Sequence, residues 1–321
     1  MLARNTFTCL LAAIVSSSLA TSVFAAGQGL SDRIARCQAD PDAAARVRDL
    51  TITLSRAPQS PAELFALYVA RGRARTADCD FTSALADFEA ALRIKPPSLP
   101  ASTEFYIGRG DAHLRLEQRD PALADYDAAL AQSLSVDDKA HIHLMRGFIH
   151  TDKGEETQAV ADFTRVILLK PDFADAYWLR AVSYENLNDY SSALADYDRL
   201  AELRPDDWTG WSQICWGHAY LNSGLEDGLR ACDTALRLNP GDANTLDGRG
   251  FVNVRLGRFA DAIADYSEAL RRQPRLPGSL YLRGIAKLRL GSAASAKGDI
   301  AAAEAMEPEI ARRFAGYGII P

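Results

Sequence analysis

The residues of this sequence best suited to chemistry are histidines, and three of them, His141, His143 and His150, lie close together. Clustered imidazoles are typical ligands of zinc, which holds each ligand at about 2 Å. On a helix, however, His141 and His143 point about 200° apart, and His143 and His150 lie about 10.5 Å apart along the axis. We therefore predict no metal site and interpret His150, with His113 at the matching place in an earlier segment, as a core residue.

Motifs for other catalytic chemistry are missing from the sequence. It contains no nucleophile elbow, zinc-binding HExxH, phosphate-binding loop or dinucleotide fingerprint. The adjacent carboxylates Asp137–Asp138 and Asp206–Asp207 lie between predicted helices, where acidic side chains cap helices and shape turns. We expect a protein that is not an enzyme and that binds no cofactor.

The charge balance gives no indication of a nucleic-acid partner. The chain has 36 Lys and Arg against 42 Asp and Glu, a net charge of −6. Nucleic-acid binding needs a clustered basic face, which this composition does not suggest. The hydrophobic content of 48% is that of a globular protein rather than a disordered one.

The first 25 residues have the pattern of a secretory signal peptide. Arg4 precedes an apolar stretch from Phe7 to Ala20, and small residues surround a cleavage site after Ala25 or, as a second option, after Ala26. A membrane anchor or an amphipathic helix is the alternative, but the apolar core is too short to span a bilayer. We predict an exported periplasmic or secreted protein whose mature chain has no integral membrane segment.

Export changes how the cysteines are interpreted. The mature chain would retain Cys37, Cys79, Cys215 and Cys232. An even number of cysteines in an oxidising compartment favours up to two disulfides over buried free thiols. Four cysteines allow three pairings, so the elements that position them must decide.

Seven segments of the chain share one pattern with a period near 34 residues. Each has a small residue, a second small residue eleven or twelve positions later, an aromatic position four residues after that, and in most segments a proline eight further on. The first small residue is, in chain order, Gly72, Gly110, Gly147, Ala181, Gly217, Gly250 and Gly284. The aromatic position holds Phe88, Tyr126, Phe163, Tyr197, Cys232, Tyr266 and Ile300.

The pattern predicts seven helix hairpins. Two antiparallel helices that cross closely need a small residue on each at the crossing, and the aromatic ring fills the space beside it. Proline ends the second helix. One hairpin cannot bury its own apolar face, so neighbouring hairpins must stack into one continuous core.

The segment from Ala176 to Pro205, AYWLRAVSYENLNDYSSALADYDRLAELRP, resembles a tetratricopeptide repeat almost position for position, as does the segment 243–274. The resemblance covers about residues 65–310. It implies an all-α fold, a right-handed superhelical solenoid of about seven helix hairpins with helical caps at both ends. It also implies a scaffold for protein–protein interaction.

The resulting domain organisation has four parts. They are a signal peptide at 1–25, an N-terminal helical cap at 26–64, seven repeats at 65–310 and a C-terminal capping segment at 311–321. The repeats lie at about 65–98, 103–136, 140–173, 174–207, 208–242, 243–276 and 277–310. The last segment has Arg312 and Arg313 beside Phe314, Tyr317 and Ile319, as expected of an amphipathic lid on the last hairpin.

Two charged positions vary together from repeat to repeat. Six repeats have an arginine just before the first small residue: Arg71, Arg109, Arg146, Arg180, Arg249 and Arg283. The same six have an aspartate just before the aromatic position: Asp87, Asp125, Asp162, Asp196, Asp265 and Asp299. Repeat five has Trp216 and Ala231 there instead. Because both partners are lost together, we predict Arg–Asp pairs, either within a repeat or between neighbouring repeats.

Repeat five has two cysteines placed symmetrically about its turn. Cys215 and Cys232 are equally distant from the turn near Ser223 and Gly224, so they lie at the same height of an antiparallel hairpin. We predict a disulfide between them, which would stabilise the fold by roughly 3 kcal/mol. The remaining pair, Cys37 and Cys79, would tie the N-terminal segment to the first repeat.

The resemblance also implies which residues line the inner face of the first helices. These are Val69, Arg73, Ile107, Asp111, Leu144, Phe148, Trp178, Val182, Ile214, His218, Asp247, Phe251, Tyr281 and Ile285, with Glu185 and Asn186 beside them. One hypothesis is that a peptide or helix binds along Phe148, Trp178 and Phe251. The other is that these side chains pack between repeats or are covered by the chain's own N-terminus.

The resemblance favours a scaffold or adaptor that binds a partner protein or peptide in this groove. The alternative is a regulatory or substrate-binding subunit of an envelope enzyme, or of a glycan or protein export complex. The Lys and Asn pattern of repeat domains that clamp a carboxylate is not present at these positions.

Overall fold

The computed structural model of the protein describes residues 42–56 and 60–320. Within these ranges the regular structure consists of sixteen α-helices and no strands, which confirms the all-α helical repeat fold. The helices are α1 (Ala43–Ser55), α2 (Pro61–Ala77), α3 (Phe81–Ile94), α4 (Thr103–Arg115), α5 (Arg119–Leu130), α6 (Val136–Asp152), α7 (Glu156–Leu169), α8 (Ala174–Asn186), α9 (Tyr190–Leu203), α10 (Trp208–Leu221), α11 (Leu225–Leu238), α12 (Ala243–Arg255), α13 (Phe259–Arg272), α14 (Pro277–Arg289), α15 (Ala293–Met306) and α16 (Ile310–Gly316). The predicted signal peptide and Cys37 lie outside the described residues.

The chain divides into two compact units between Ala176 and Tyr177, near the start of α8. We call the described residues before this point the N-terminal unit and those after it the C-terminal unit, and we treat each by itself. In the part of the chain that the structure describes, no helix combines the length and apolarity that a bilayer crossing requires.

Seven successive helix pairs, from α2–α3 to α14–α15, correspond to the predicted hairpins, and α1 packs against α2. Two first helices begin earlier than expected. The helix α2 begins at Pro61 rather than at residue 65, because Ser60 and Glu63 form a capping box and proline is favoured at the first helical position. The helix α6 begins at Val136 rather than at residue 140, because Ser135 caps it by accepting from the Asp138 amide.

The prolines of the repeat end the second helices as the pattern predicts. Six second helices end two residues before a proline, because the residue that precedes proline disfavours helical backbone. The last helical residues are Ile94, Leu169, Leu203, Leu238, Arg272 and Met306, and the prolines are Pro96, Pro171, Pro205, Pro240, Pro274 and Pro308.

Close approach of the two helices explains the glycines of the repeat. A Cβ at Gly250 would lie 2.7 Å from the ring of Tyr266, and one at Gly147 would collide with the ring of Phe163. The aromatic ring of the second helix therefore lies directly against the glycine of the first. Tyr266 and Phe163 are fully buried, so these rings form the centres of their hairpins.

The Arg–Asp pairs form within repeats. Arg180 donates from Nε and Nη2 to the two carboxylate oxygens of Asp196, at 2.8 and 2.6 Å. The same two-pronged contact joins Arg71 to Asp87, Arg109 to Asp125, Arg249 to Asp265 and Arg283 to Asp299. The structure thus confirms the predicted contact and selects the arrangement within a repeat.

Repeat three departs from this geometry because histidine competes for the aspartate. His143 Nδ1 lies 2.7 Å from Asp162 Oδ1, while Arg146 Nε is 3.4 Å from Asp162 Oδ2. The guanidinium of Arg146 instead reaches Asp127 at 2.5 Å. His150 Nε2 also approaches Asp162, at 3.6 Å. Three side chains on one face of α6 therefore converge on one buried carboxylate.

Repeat five has a disulfide at its centre. Cys215 on α10 and Cys232 on α11 are joined by a bond whose sulfurs lie 2.07 Å apart, and both residues are fully buried. Cys232 takes the place of the aromatic ring, as the sequence pattern suggests. Cys79 is also disulfide-bonded, but its predicted partner Cys37 lies outside the described residues.

Candidate functional site

The inner-face residues predicted in the N-terminal unit differ in how accessible they are. Val69 is buried in the core, whereas Arg73 is exposed. Ile107, Leu144 and Phe148 are half-buried and rest on a core cluster that includes Tyr126, Ile142 and Ile149. These three apolar side chains each keep an accessible surface on α4 and α6.

A polar cluster lies beside these apolar residues. Asp111 Oδ1 accepts hydrogen bonds from the Tyr126 hydroxyl at 2.7 Å and from His141 Nε2 at 2.9 Å. Burial raises the pKa of Tyr126 well above its usual range, and the charge of Asp111 adds to the shift. Burial opposes protonation of His141, but the adjacent Asp111 outweighs this effect and the pKa of His141 is raised. Asp111 is thus held between two donors.

Arg115 is a site residue that the sequence interpretation missed. Its Nη1 atom is buried and has no hydrogen-bond partner among the described residues. Its positive charge acts on both Tyr126 and His141, so it belongs to the same cluster. The signal was present in the sequence, because Arg115 follows Asp111 by one helical turn and so shares its face of α4.

These residues together form a candidate binding surface, which we call the accessible strip. It comprises Ile107, Asp111, Arg115, His141, Leu144 and Phe148. The strip offers apolar area for a partner side chain and a guanidinium nitrogen that can still donate to a carboxylate. In the residues that the structure describes, no group of three potential ligands is arranged to hold a metal ion.

The inner-face residues predicted in the C-terminal unit do not form an open groove. Trp178 is 6% exposed, Asp247 1% and Phe251 0%, and Ile214, Tyr281 and Ile285 are also buried. Val182 is half-buried. Trp178 packs edge-on against Tyr197 at 5.6 Å. Trp178 and Phe251 are therefore not accessible to a partner in this state of the chain.

The C-terminal segment covers this face. The ring of Phe314 stacks on Tyr281 at 5.4 Å and meets Phe251 edge-on at 6.1 Å. Tyr317 lies 5.0 Å from the ring of Tyr220. The segment predicted as a lid on the last hairpin thus also covers repeats five and six. The first 41 residues, to which the other hypothesis assigned this covering role, lie outside the described residues.

A tight turn completes the docked segment. Gly318 has φ of +74°, a left-handed conformation that ends α16 and that glycine adopts without a Cβ penalty. The turn brings the Ile319 amide back to the Phe314 carbonyl at 3.0 Å and buries both side chains. Arg289 then donates to the Ile320 carbonyl at 3.2 Å. We call residues 310–320 the docked tail.

Two other predicted site residues have local roles. His218 Nδ1 lies 2.7 Å from the Ser223 carbonyl oxygen, and its ring packs against Gly224 and Gly228 at the end of the hairpin. It therefore caps the turn of repeat five instead of lining a groove. Glu185 lies beside the phenol of Tyr197, and burial raises the pKa of this carboxyl to about 8.

The raised pKa of Glu185 predicts a pH-dependent stability. The folded protein keeps a proton that the unfolded chain releases, so stability falls as the pH rises from about 4.5 to about 8. The variant Glu185→Gln has no proton to lose. We expect its melting temperature to match wild type at pH 4.5 and to exceed it by roughly 3 °C at pH 8.

Thermal unfolding followed by circular dichroism at both pH values checks this prediction. Glu202→Gln is the matched control, because the Glu202 side chain on the neighbouring α9 is 66% exposed. A difference between Glu185→Gln and wild type that is equal at both pH values contradicts a buried, protonated carboxyl.

Comparison with known proteins agrees with the helical repeat fold. The family model described as Tetratricopeptide repeat matches residues 144–207, 218–277 and 248–317, which together cover just over half of the chain. No curated protein sequence matches it.

Solved structures show a similar fold. A tetratricopeptide repeat protein from Parabacteroides merdae has 21% identity over 76% of this chain and 94% of its own, with a TM-score of 0.50. The C-terminal part of a tetratricopeptide repeat-containing protein from Cytophaga hutchinsonii has 15% identity over 74% and 93%, with a TM-score of 0.57. YrrB, described as a tetratricopeptide repeat protein with an unusual peptide-binding site, has 19% identity over 62% and 95%, with a TM-score of 0.51. At these identities the similarity concerns the fold alone.

Proposed function

The chain belongs to the tetratricopeptide repeat family, and we propose that it is an exported scaffold that binds a segment of a partner protein on the accessible strip. Proteins built from such repeats present long side-chain surfaces rather than enclosed catalytic pockets. The function is therefore recognition, with the strip as the contact surface.

One observation carries this proposal, namely the buried, unpartnered Nη1 of Arg115 beside half-exposed Leu144 and Phe148. A buried donor without an acceptor is costly, and a partner carboxylate would remove that cost once the Arg115 side chain turns towards the surface on binding. The adjacent apolar side chains would bury further area against the same segment. The partner segment that fits is one with an acidic group next to an apolar side chain.

YrrB, a tetratricopeptide repeat protein with an unusual peptide-binding site, supports the use of this fold for peptide recognition. Since the identity is 19%, its contact residues are not carried over to this chain. The accessible strip is proposed from its own chemistry.

Two features support export. The first 25 residues have the layout of a signal peptide. The Cys215–Cys232 disulfide and the disulfide-bonded state of Cys79 suit an oxidising compartment, because thiols in the cytosol are kept reduced.

The binding proposal is tested with the variant Arg115→Ala/Leu144→Ala. We expect the variant, used as bait on an envelope extract, to recover at least tenfold less of the partner than wild type does, since the guanidinium and part of the apolar surface are gone. Quantitative mass spectrometry of the bound proteins measures the recovery.

The matched control is Leu168→Ala, which removes a leucine that is 66% exposed on α7 of the same unit. Melting temperatures of the three proteins show whether the fold is intact. Recovery that is equal for wild type and the strip variant, with both folded, contradicts the proposed contact surface.

A further inference from the structure

The docked tail contacts its own unit in the way a bound peptide would. It forms the short helix α16, and three residues separate this helix from α15. Phe314 and Tyr317, one helical turn apart, point to the same side and meet Tyr281, Phe251 and Tyr220. Burial raises the pKa of Tyr190 above its ordinary value, and the nearby Tyr317 adds to this shift.

We propose that the aromatic face of the C-terminal unit is a second binding surface for a short partner helix with two aromatic side chains one turn apart. The aromatic face comprises Tyr190, Tyr220, Phe251 and Tyr281. The docked tail occupies this face in the free protein, and the partner helix displaces it. This surface is separate from the accessible strip, so the two proposals succeed or fail independently.

The docked tail is suited to exchange because it is short. A helix of seven residues is not stable in isolation, since nucleation is costly and few hydrogen bonds repay it. Its order therefore depends on the contacts of Phe314, Tyr317 and Ile319 with the unit beneath. The pair between Arg313 and Glu307, at 2.9 Å, joins the docked tail to the residue that directly follows α15.

The fit beneath the docked tail is incomplete in its polar groups. The hydroxyl of Tyr281, the residue on which Phe314 stacks, is buried and has no hydrogen-bond partner among the described residues. A partner helix that places an acceptor near this hydroxyl would gain a hydrogen bond that the tail does not make. Such a partner can outcompete a covalently attached segment.

Covalent attachment favours binding of the docked tail over binding of a free peptide with the same sequence. A short flexible linker holds a tethered segment at an effective concentration on the order of millimolar. A free peptide must compete with that concentration in the wild-type chain. Weakening the attached tail should therefore reveal the binding surface to a peptide of the same sequence.

The experiment uses a fluorescein-labelled peptide of residues 307–320 and the full chain carrying Phe314→Ala/Tyr317→Ala. We expect the peptide to bind this variant at least tenfold more tightly than it binds wild type, as measured by fluorescence anisotropy. The peptide with both aromatic residues replaced by alanine should bind neither protein. The matched protein control is Arg312→Ala, since that side chain is 88% exposed in the same helix, and it should behave like wild type.

Equal affinity of the peptide for wild type and the double variant overturns the proposal, as does equal binding of the alanine peptide. If the double variant does not fold, the single variant Tyr317→Ala replaces it with the same two criteria. Peptide binding that survives Arg115→Ala/Leu144→Ala assigns the effect to the aromatic face and not to the accessible strip.

Discussion

Replacement of Asp196 by alanine should lower the free energy of unfolding by about 3 kcal/mol. The Arg180 side chain is 17% exposed and Asp196 6%, so the substitution leaves a largely buried guanidinium without its two carboxylate acceptors. Burial outweighs the attraction of Arg180 and raises the pKa of Asp196, which shows that the enclosed carboxylate is itself costly. Replacing one partner of the pair should therefore lower the free energy of unfolding much more than the second replacement adds.

A double-mutant cycle makes this expectation specific. Arg180→Ala added to Asp196→Ala should cost much less than Arg180→Ala alone, because the guanidinium it removes has already lost the carboxylate of Asp196. Chemical denaturation of the four proteins measures the coupling. Glu202→Ala is the control, since its pair with Arg199 is on the surface and should change stability by less than about 1 kcal/mol. Additive losses at Arg180 and Asp196 would contradict an energetic pair.

Removal of the disulfide of repeat five should have an effect of similar size. Cys215 and Cys232 are separated by 17 residues, and a loop of this length contributes roughly 3 kcal/mol through the entropy of the unfolded chain. We expect Cys215→Ala/Cys232→Ala to unfold at a correspondingly lower denaturant concentration. Alanine is chosen because both sites are fully buried and serine would bury an extra hydroxyl.

Reduction of the wild-type protein provides the second measurement. Dithiothreitol should lower the unfolding midpoint of the wild-type protein towards that of the double variant. Any lowering of the midpoint of the double variant by dithiothreitol reports on the disulfide of Cys79. Thiol labelling of protein made with and without residues 1–25 tests the compartment, because only the exported form should carry blocked cysteines. A wild-type protein whose unfolding midpoint is unchanged by reduction contradicts a stabilising bond.

The repeat made much of this fold predictable. Seven copies within one chain act as an internal alignment, so a position that changes together with another, as Trp216 and Ala231 do, identifies a contact before any coordinates are known. The same periodicity predicted where the second helices end. It did not predict the early starts of α2 and α6, because those depend on Ser60 and Ser135 outside the repeating pattern.

The candidate site was less predictable, for physical reasons. The inner-face positions were carried over from the resemblance on the assumption that no other segment covers this face. The residues of a repeat do not show whether another segment packs on it. The docked tail is not part of the repeating pattern, so the repeat period does not predict where Phe314 and Tyr317 pack. The sequence pattern also did not predict that His143 competes with Arg146 for the carboxylate of Asp162.

The disulfide of repeat five also limits how far the chain can be extended when it is pulled from its two ends. The stretch from Cys215 to Cys232, a sequence separation of 17, would extend by roughly 60 Å if unfolded and free, at about 3.6 Å per residue. With the bond in place this stretch cannot lengthen, whatever tension acts on the two ends. Non-covalent contacts such as the Arg–Asp pairs set no such limit, so a chain under tension would retain this closed loop in its C-terminal unit.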